Sequence, residues 1–176
     1  MNKQQIIEQL QQNHQSFTNM ILSLKEKEFL FTTDDKWTAG QQAEHIFRSV
    51  KPVKLAFTLP LFILGINFGK ANRPSRSYEN LLQKYKDKLA AGGRASGRFI
   101  PRPVVFMQRQ KLCTDILALN NSICKKVNKR SEEELDTYIL PHPLLGKLTL
   151  REMLYFNILH VAHHQRTVSE LLATIC

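Results

Sequence analysis

Residues 149–172 read TLREMLYFNILHVAHHQRTVSELL, and Leu150, Leu154, Asn157, Val161, His164, Val168 and Leu171 follow one another in steps of four and three. Those steps match the 3.6-residue turn, so the segment is predicted to be a long helix with this stripe facing a core. Its start is marked as well. In Thr149-Leu-Arg-Glu152 the threonine hydroxyl can accept from a free N–H of the first turn, while the glutamate reaches back to the threonine N–H. Outward from this segment the same pattern recurs three times. Residues 3–27 place Ile7, Leu10, His14, Phe17, Ile21 and Leu24 on a stripe that stops before the turn-like cluster Thr32, Thr33, Asp34 and Asp35. Thr38-Ala-Gly-Gln41 is a second capping box, opening a helix through Ala43, Ile46, Phe47 and Val50. Pro52 and Pro60 are expected to kink or end that helix, and Gly65 to Gly69 to close it. Residues 105–129 carry Leu112, Ile116, Leu119, Ile123 and Val127. The stretch 70–103 is irregular, with a short amphipathic helix predicted over Tyr78 to Ala91, a loop from Gly92 to Gly97, and punctuation by Pro101 and Pro103. Ser131 to Glu134 is expected to open a short turn. Only Asp136 to Leu140 has strand character, and Pro141-His142-Pro143 rules out regular helix there. Four long amphipathic helices with one long crossover predict an all-α four-helix bundle.

The chain has 176 residues, which predicts one domain over 1–176. At 43% hydrophobic and 23% charged it has too much apolar residue for a mainly disordered chain. The formal charge of +10 invites an anionic partner, but the cations are dispersed. Lys125, Lys126, Lys129 and Arg130 close one predicted helix, Lys84, Lys86 and Lys88 alternate along another, and Arg94, Arg98, Arg102 and Arg109 lie in or beside the glycine-rich loop. No nucleic-acid motif accompanies them, so a solvated basic surface with no nucleic-acid partner is expected.

Cys113, Cys124 and Cys176 are odd in number and lack CxxC spacing, which argues against both a disulfide framework and a zinc ribbon. Reduced thiols fit a cytoplasmic protein, and Cys113 and Cys124 read as small core residues of one helix. The N-terminal MNKQQIIEQLQQN lacks the apolar run of a signal peptide. Leu55 to Ile66 is apolar but short and contains Pro60; it reads as a buried or intersubunit segment, with no membrane span expected.

Chemistry-bearing residues are few. His160 and His164 are four apart, which puts two imidazoles on one helix face, one turn apart, within reach of a single ion. His163 is rotated about 100° from them and reads as surface or outer-layer. The spacing alone is common by chance, and the Glu of a His-Glu-x-x-His metalloprotease motif is missing. His45 supplies context. It follows Trp37-Thr-Ala-Gly-Gln two turns into the second helix, which can face the fourth. Three histidines from two helices would leave coordination positions open, as in catalytic metal sites.

Trp37-Thr-Ala-Gly-Gln-Gln-Ala-Glu-His45-Ile and Leu159-His160-Val-Ala-His-His164-Gln resemble, in order and separation, the two signatures of the DinB/YfiT-like superfamily. The resemblance implies an up-down-down-up four-helix bundle, frequently a homodimer. It implies a divalent metal (nickel, zinc or iron) held by His45, His160 and His164. Some relatives are thiol-dependent transferases or isomerases using bacillithiol, mycothiol or glutathione. The basic stretch 70–103 looks like a subgroup feature.

Two functional classes follow. One is a metal-dependent hydrolase or thiol-dependent S-transferase acting on a small molecule, in which Arg94, Arg98 and Arg102 could bind the carboxylates of a low-molecular-weight thiol. The other is a stress-response or partner-binding module with a vestigial or regulatory metal site. Other polar residues keep two readings each. His14 reads as a core histidine or a fourth ligand, His142 as a loop residue, and Asn157 as a site contact or a packing residue. Trp37 is a staple before the helix or a substrate platform, and Tyr155 and Glu152 serve acid–base chemistry only if they face the cavity.

Overall fold

Both predicted capping boxes form: the Thr38 hydroxyl accepts from Gln41 N–H, the Thr149 hydroxyl from Glu152 N–H, and each N3 side chain returns the bond. A computed structural model describes residues 1–33 and 36–175, so Asp34 and Asp35 of the turn-like cluster, and Cys176, lie outside the described residues. The elements in chain order are α1 (Lys3–Ser23), α2 (Glu26–Leu30), α3 (Ala39–Thr58), α4 (Leu61–Phe68), α5 (Tyr78–Ala90), α6 (Arg109–Asn128), α7 (Glu132–Thr137), β1 (Ile139–His142), β2 (Gly146–Thr149) and α8 (Leu150–Leu172).

Helices α1, α3, α6 and α8 form a four-helix bundle in which α1 and α3 sit diagonally, each packed on α6 and α8. Long-range bonds give the directions. Lys3 Nζ at the start of α1 donates to Asn128 and Arg130 carbonyls at the end of α6, so these two run antiparallel. Arg130 also donates to the Leu59 carbonyl just past α3, so α3 and α6 run parallel. Arg151 and Tyr155 at the start of α8 bond the Met1 carbonyl, and Gln165 further along reaches Ser16, so α1 and α8 run parallel. The order is up, down, down, up. The core between them holds Ile6, Leu10, Phe17 and Ile21; Ile46, Val50 and Phe57; Ile116, Ile123 and Val127; and Leu154, Ile158, Val161 and Val168.

Three expectations change. First, α3 runs through Pro52 to Thr58 without a break. An internal proline costs roughly 3 kcal/mol, and burial of Val50, Val53 and Phe57 on both sides of it is of the size needed to offset that. The chain turns at Pro60 instead, where α3 and α4 meet at 113°. Second, Pro141 and His142 join a two-stranded antiparallel hairpin, in register Ile139↔Thr149 to His142↔Gly146. Third, α8 is not half-exposed along its start: every residue from Leu150 to Val161 is buried, because α5, α7 and the hairpin cover the side facing away from the bundle.

Cys113 and Cys124 are buried core residues, and burial pushes both thiols up to about 11, which keeps them protonated. Gly40 is required by packing, since a Cβ there would meet the Phe29 ring at 2.6 Å. It lets α2 close over the start of α3, beside the histidine site.

Candidate metal centre

His45 lies on the second turn of α3, and His160 and His164 lie one turn apart on α8, which runs antiparallel to α3. The inward faces of the two helices bring the rings together. His160 Nε2 is 3.0 Å from His45 Nε2 and 2.9 Å from His164 Nε2, and all three residues are buried.

The proton inventory of this cluster is decisive. His45 Nδ1 lies 2.7 Å from the Phe99 carbonyl oxygen, and His164 Nδ1 bonds Gln42 Oε1. Carbonyl oxygens only accept, so both Nδ1 atoms are N–H donors, and in the neutral ring the Nε2 atoms are bare lone pairs. His160 can supply at most one Nε2 proton for two close nitrogen contacts. A second proton would have to make an imidazolium. Burial opposes that for all three; neighbouring imidazoles add to the effect, and His160 and His164 are held well below the ordinary histidine range. Three neutral imidazoles aiming lone pairs into one buried point, each of two anchored through its other nitrogen, is a donor set that fits a divalent cation.

The surroundings are aromatic. The Trp37 ring is 5.0 Å from His45 and near-parallel to His164, and Phe156 stacks on His160 at 4.7 Å. Tyr85 of α5 packs edge-on against Phe156, His160 and His163. Burial raises the Tyr85 phenol, so it stays protonated and able to donate.

The basic crossover loop also lies here. Gly97, at φ +54, opens a 3-10 turn, Gly97–Phe99, whose last carbonyl takes the His45 proton. Arg48 donates to the Arg98 carbonyl, and Glu44, itself paired to Arg48, accepts from Arg102 N–H. Arg98 and Arg102 therefore flank the centre, with exposed side chains.

Other candidates fall elsewhere. His14 is buried, donates from Nδ1 to the Leu10 carbonyl, and stands outside the cluster. His163 is half-buried beside His164. His142 accepts Leu144 and Leu145 N–H at the hairpin tip and packs on Phe156. Asn157 bonds the Met153 carbonyl of its own helix. Tyr155 holds the chain terminus at Met1, and Glu152 is enclosed by Arg73, Arg76 and two backbone N–H groups, so neither serves the centre. Gln42, Phe99 and Tyr85 were not singled out by sequence reasoning. Gln42, a polar residue one turn before His45 on the same face, was the readable one.

A family model described as the DinB superfamily matches residues 9–168. The chain belongs to the DinB superfamily. Among solved structures it is similar to YfiT from Bacillus subtilis, described as a probable metal-dependent hydrolase with an unusual four-helix bundle topology. The likeness has a TM-score of 0.63 at 17% identity and covers 96% of this chain and 85% of that one, which shows the shared fold. Comparison with curated proteins gives no match.

Proposed function

We propose that this DinB-superfamily protein is a metal-dependent enzyme acting on a small molecule, a hydrolase or a thiol-dependent S-transferase, with His45, His160 and His164 holding the ion. The observation that supports it most is the surplus of Nε2 lone pairs over protons at one buried point. Nickel, zinc and iron all suit imidazole donors. The ion would supply Lewis acidity toward a water or thiol nucleophile. The remaining work belongs to the chain. Gln42 and the Phe99 carbonyl orient two rings, Trp37 and Phe156 keep bulk water off them, and Tyr85 holds a proton it can donate. Arg98 and Arg102 present charge suited to the carboxylates of a low-molecular-weight thiol or an acidic substrate. YfiT's description as a probable metal-dependent hydrolase agrees with the hydrolytic branch.

The first test is elemental mass spectrometry of untagged protein and of His160→Ala, both purified without added metal. About one equivalent in the parent, absent from the variant, is expected. The parent with that metal then enters hydrolase and thiol–electrophile panels. A parent that retains no zinc, nickel or iron after loading and desalting overturns the reading.

A further inference from the structure

Helix α4 reads LFILGINF and contains no charged residue, yet only Leu64 of it is buried. Its inner side rests on β1 and on Tyr138, the residue just before β1, whose ring faces Gly65. Phe62 is 66% exposed and Ile66 80%, one turn apart on the outer side. Leu55, on the last turn of α3 before the 113° bend, is 59% exposed. Phe62 and Ile66 thus form an apolar ridge left in solvent, with Leu55 exposed nearby in the chain, and such a ridge marks an interaction surface.

Along the chain, the charge on either side of α4 is of one sign. Between Glu44 and Glu79 the sequence has no acidic residue, but it has Arg48, Lys51, Lys54, Lys70, Arg73 and Arg76. Arg48 is paired with Glu44, and Arg73 and Arg76 with Glu152. Lys51, Lys54 and Lys70 have no carboxylate partner among the described residues, and they bracket α4 in the chain. Lys51 shares a helix face with Leu55, Lys54 precedes it, and Lys70 follows the Gly69 cap. Among the described residues no single helix is long and apolar enough to cross a membrane; α3 and α4 reach that length and composition only as a pair bent by 113°.

We propose that α4 is a peripheral docking element for an anionic lipid surface: Leu55, Phe62 and Ile66 enter the headgroup–acyl boundary while Lys51, Lys54 and Lys70 meet lipid phosphates. An exposed apolar helix with flanking lysines is the chemistry such surfaces select. A second copy of this chain is the poorer occupant, because two facing ridges bring six lysines of one sign together. The helical path from His45 to the bend is about 20 Å, so docking and the metal centre are separable.

The test is flotation of the full-length protein, with its metal, on vesicles of phosphatidylcholine alone or with added phosphatidylglycerol. Binding to the anionic vesicles is expected to be at least about tenfold tighter, and to be lost in high salt. Phe62→Ser/Ile66→Ser should weaken it about tenfold, and Lys51→Glu/Lys54→Glu/Lys70→Glu should lower it to the neutral-vesicle level, with metal content and circular dichroism unchanged. Equal binding to both vesicle types, or apolar-face variants that float like the parent, overturns the proposal. So does a parent that ignores vesicles but is a dimer dissociated by Phe62→Ser/Ile66→Ser, which assigns the ridge to a second copy.

Discussion

Helix α8 buries two polar clusters of opposite character less than three turns apart. At its start Glu152, with no exposed side chain, accepts from Arg73, Arg76 and two backbone N–H groups; beside it Arg151 is bound by Glu132 and Asp136. Burial disfavours the Glu152 carboxylate, but those donors outweigh it and hold its pKa below the usual range. Every charge there is answered by the chain itself. Further along, His160 and His164 join His45 with two nitrogen contacts and at most one proton between them. Burial of polar groups is thus common to both regions, and only the count of donors against acceptors separates a structural clamp from a ligand site.

The largest break in that contrast comes from His160→Ala. The parent should lose thermal stability when stripped with a chelator, by about 4 kcal/mol when compared with free metal at a thousand times its dissociation constant, whereas the variant should unfold identically with and without metal. Next is Glu152→Ala, which strands two guanidinium groups. Because those groups are about one-third exposed, a loss of about 3 kcal/mol in urea unfolding is expected, with metal content per folded molecule unchanged. A similar metal loss in both variants would erase the distinction.

His14 sharpens it differently, as a buried histidine with a partner but no convergent neighbours. Burial lowers it to about 4, so the folded state holds it neutral while the unfolded chain titrates near 6.5. Its contribution to stability is complete above about pH 6.5 and is lost as pH falls through 4, an amount of roughly 3 kcal/mol. His14→Phe should flatten that part of the acid limb in urea titrations of metal-free protein. The smallest expected effect is at Gln42. Gln42→Leu removes the acceptor for His164 Nδ1–H and should weaken metal binding about 10–100-fold in chelator competition, without abolishing it.

The bundle was legible because it depends on local spacing, in the stripe of α8 and the capping boxes at Thr38 and Thr149; the four-residue step paired only His160 with His164, and His45 joined them through the resemblance of its flanking motif to a family signature. What escaped depends on distant backbone. The group that sets His45 is a main-chain carbonyl 54 positions away, and any residue at 99 carries one. Tyr85 sits on a short helix whose docking no periodicity announces. Glu152 was readable as a cap, but not as the anchor for Arg73 and Arg76, since ion pairs across 79 and 76 positions leave no trace in spacing. Pro52 within α3 and Pro141 within β1 show tertiary packing overriding local preference.

The bond from His45 to the Phe99 carbonyl has a thermodynamic corollary. If His45 holds the proposed ion, the bond would make the crossover loop part of that binding equilibrium: the free energy by which the cation steadies Gly97–Phe99 would equal the free energy by which a steadied loop tightens the cation. A molecule gripped by Arg98 and Arg102 acts on that same linkage. For the proposed metal enzyme, the factor by which substrate shifts metal affinity would equal the factor by which metal shifts substrate affinity, so each measurement checks the other.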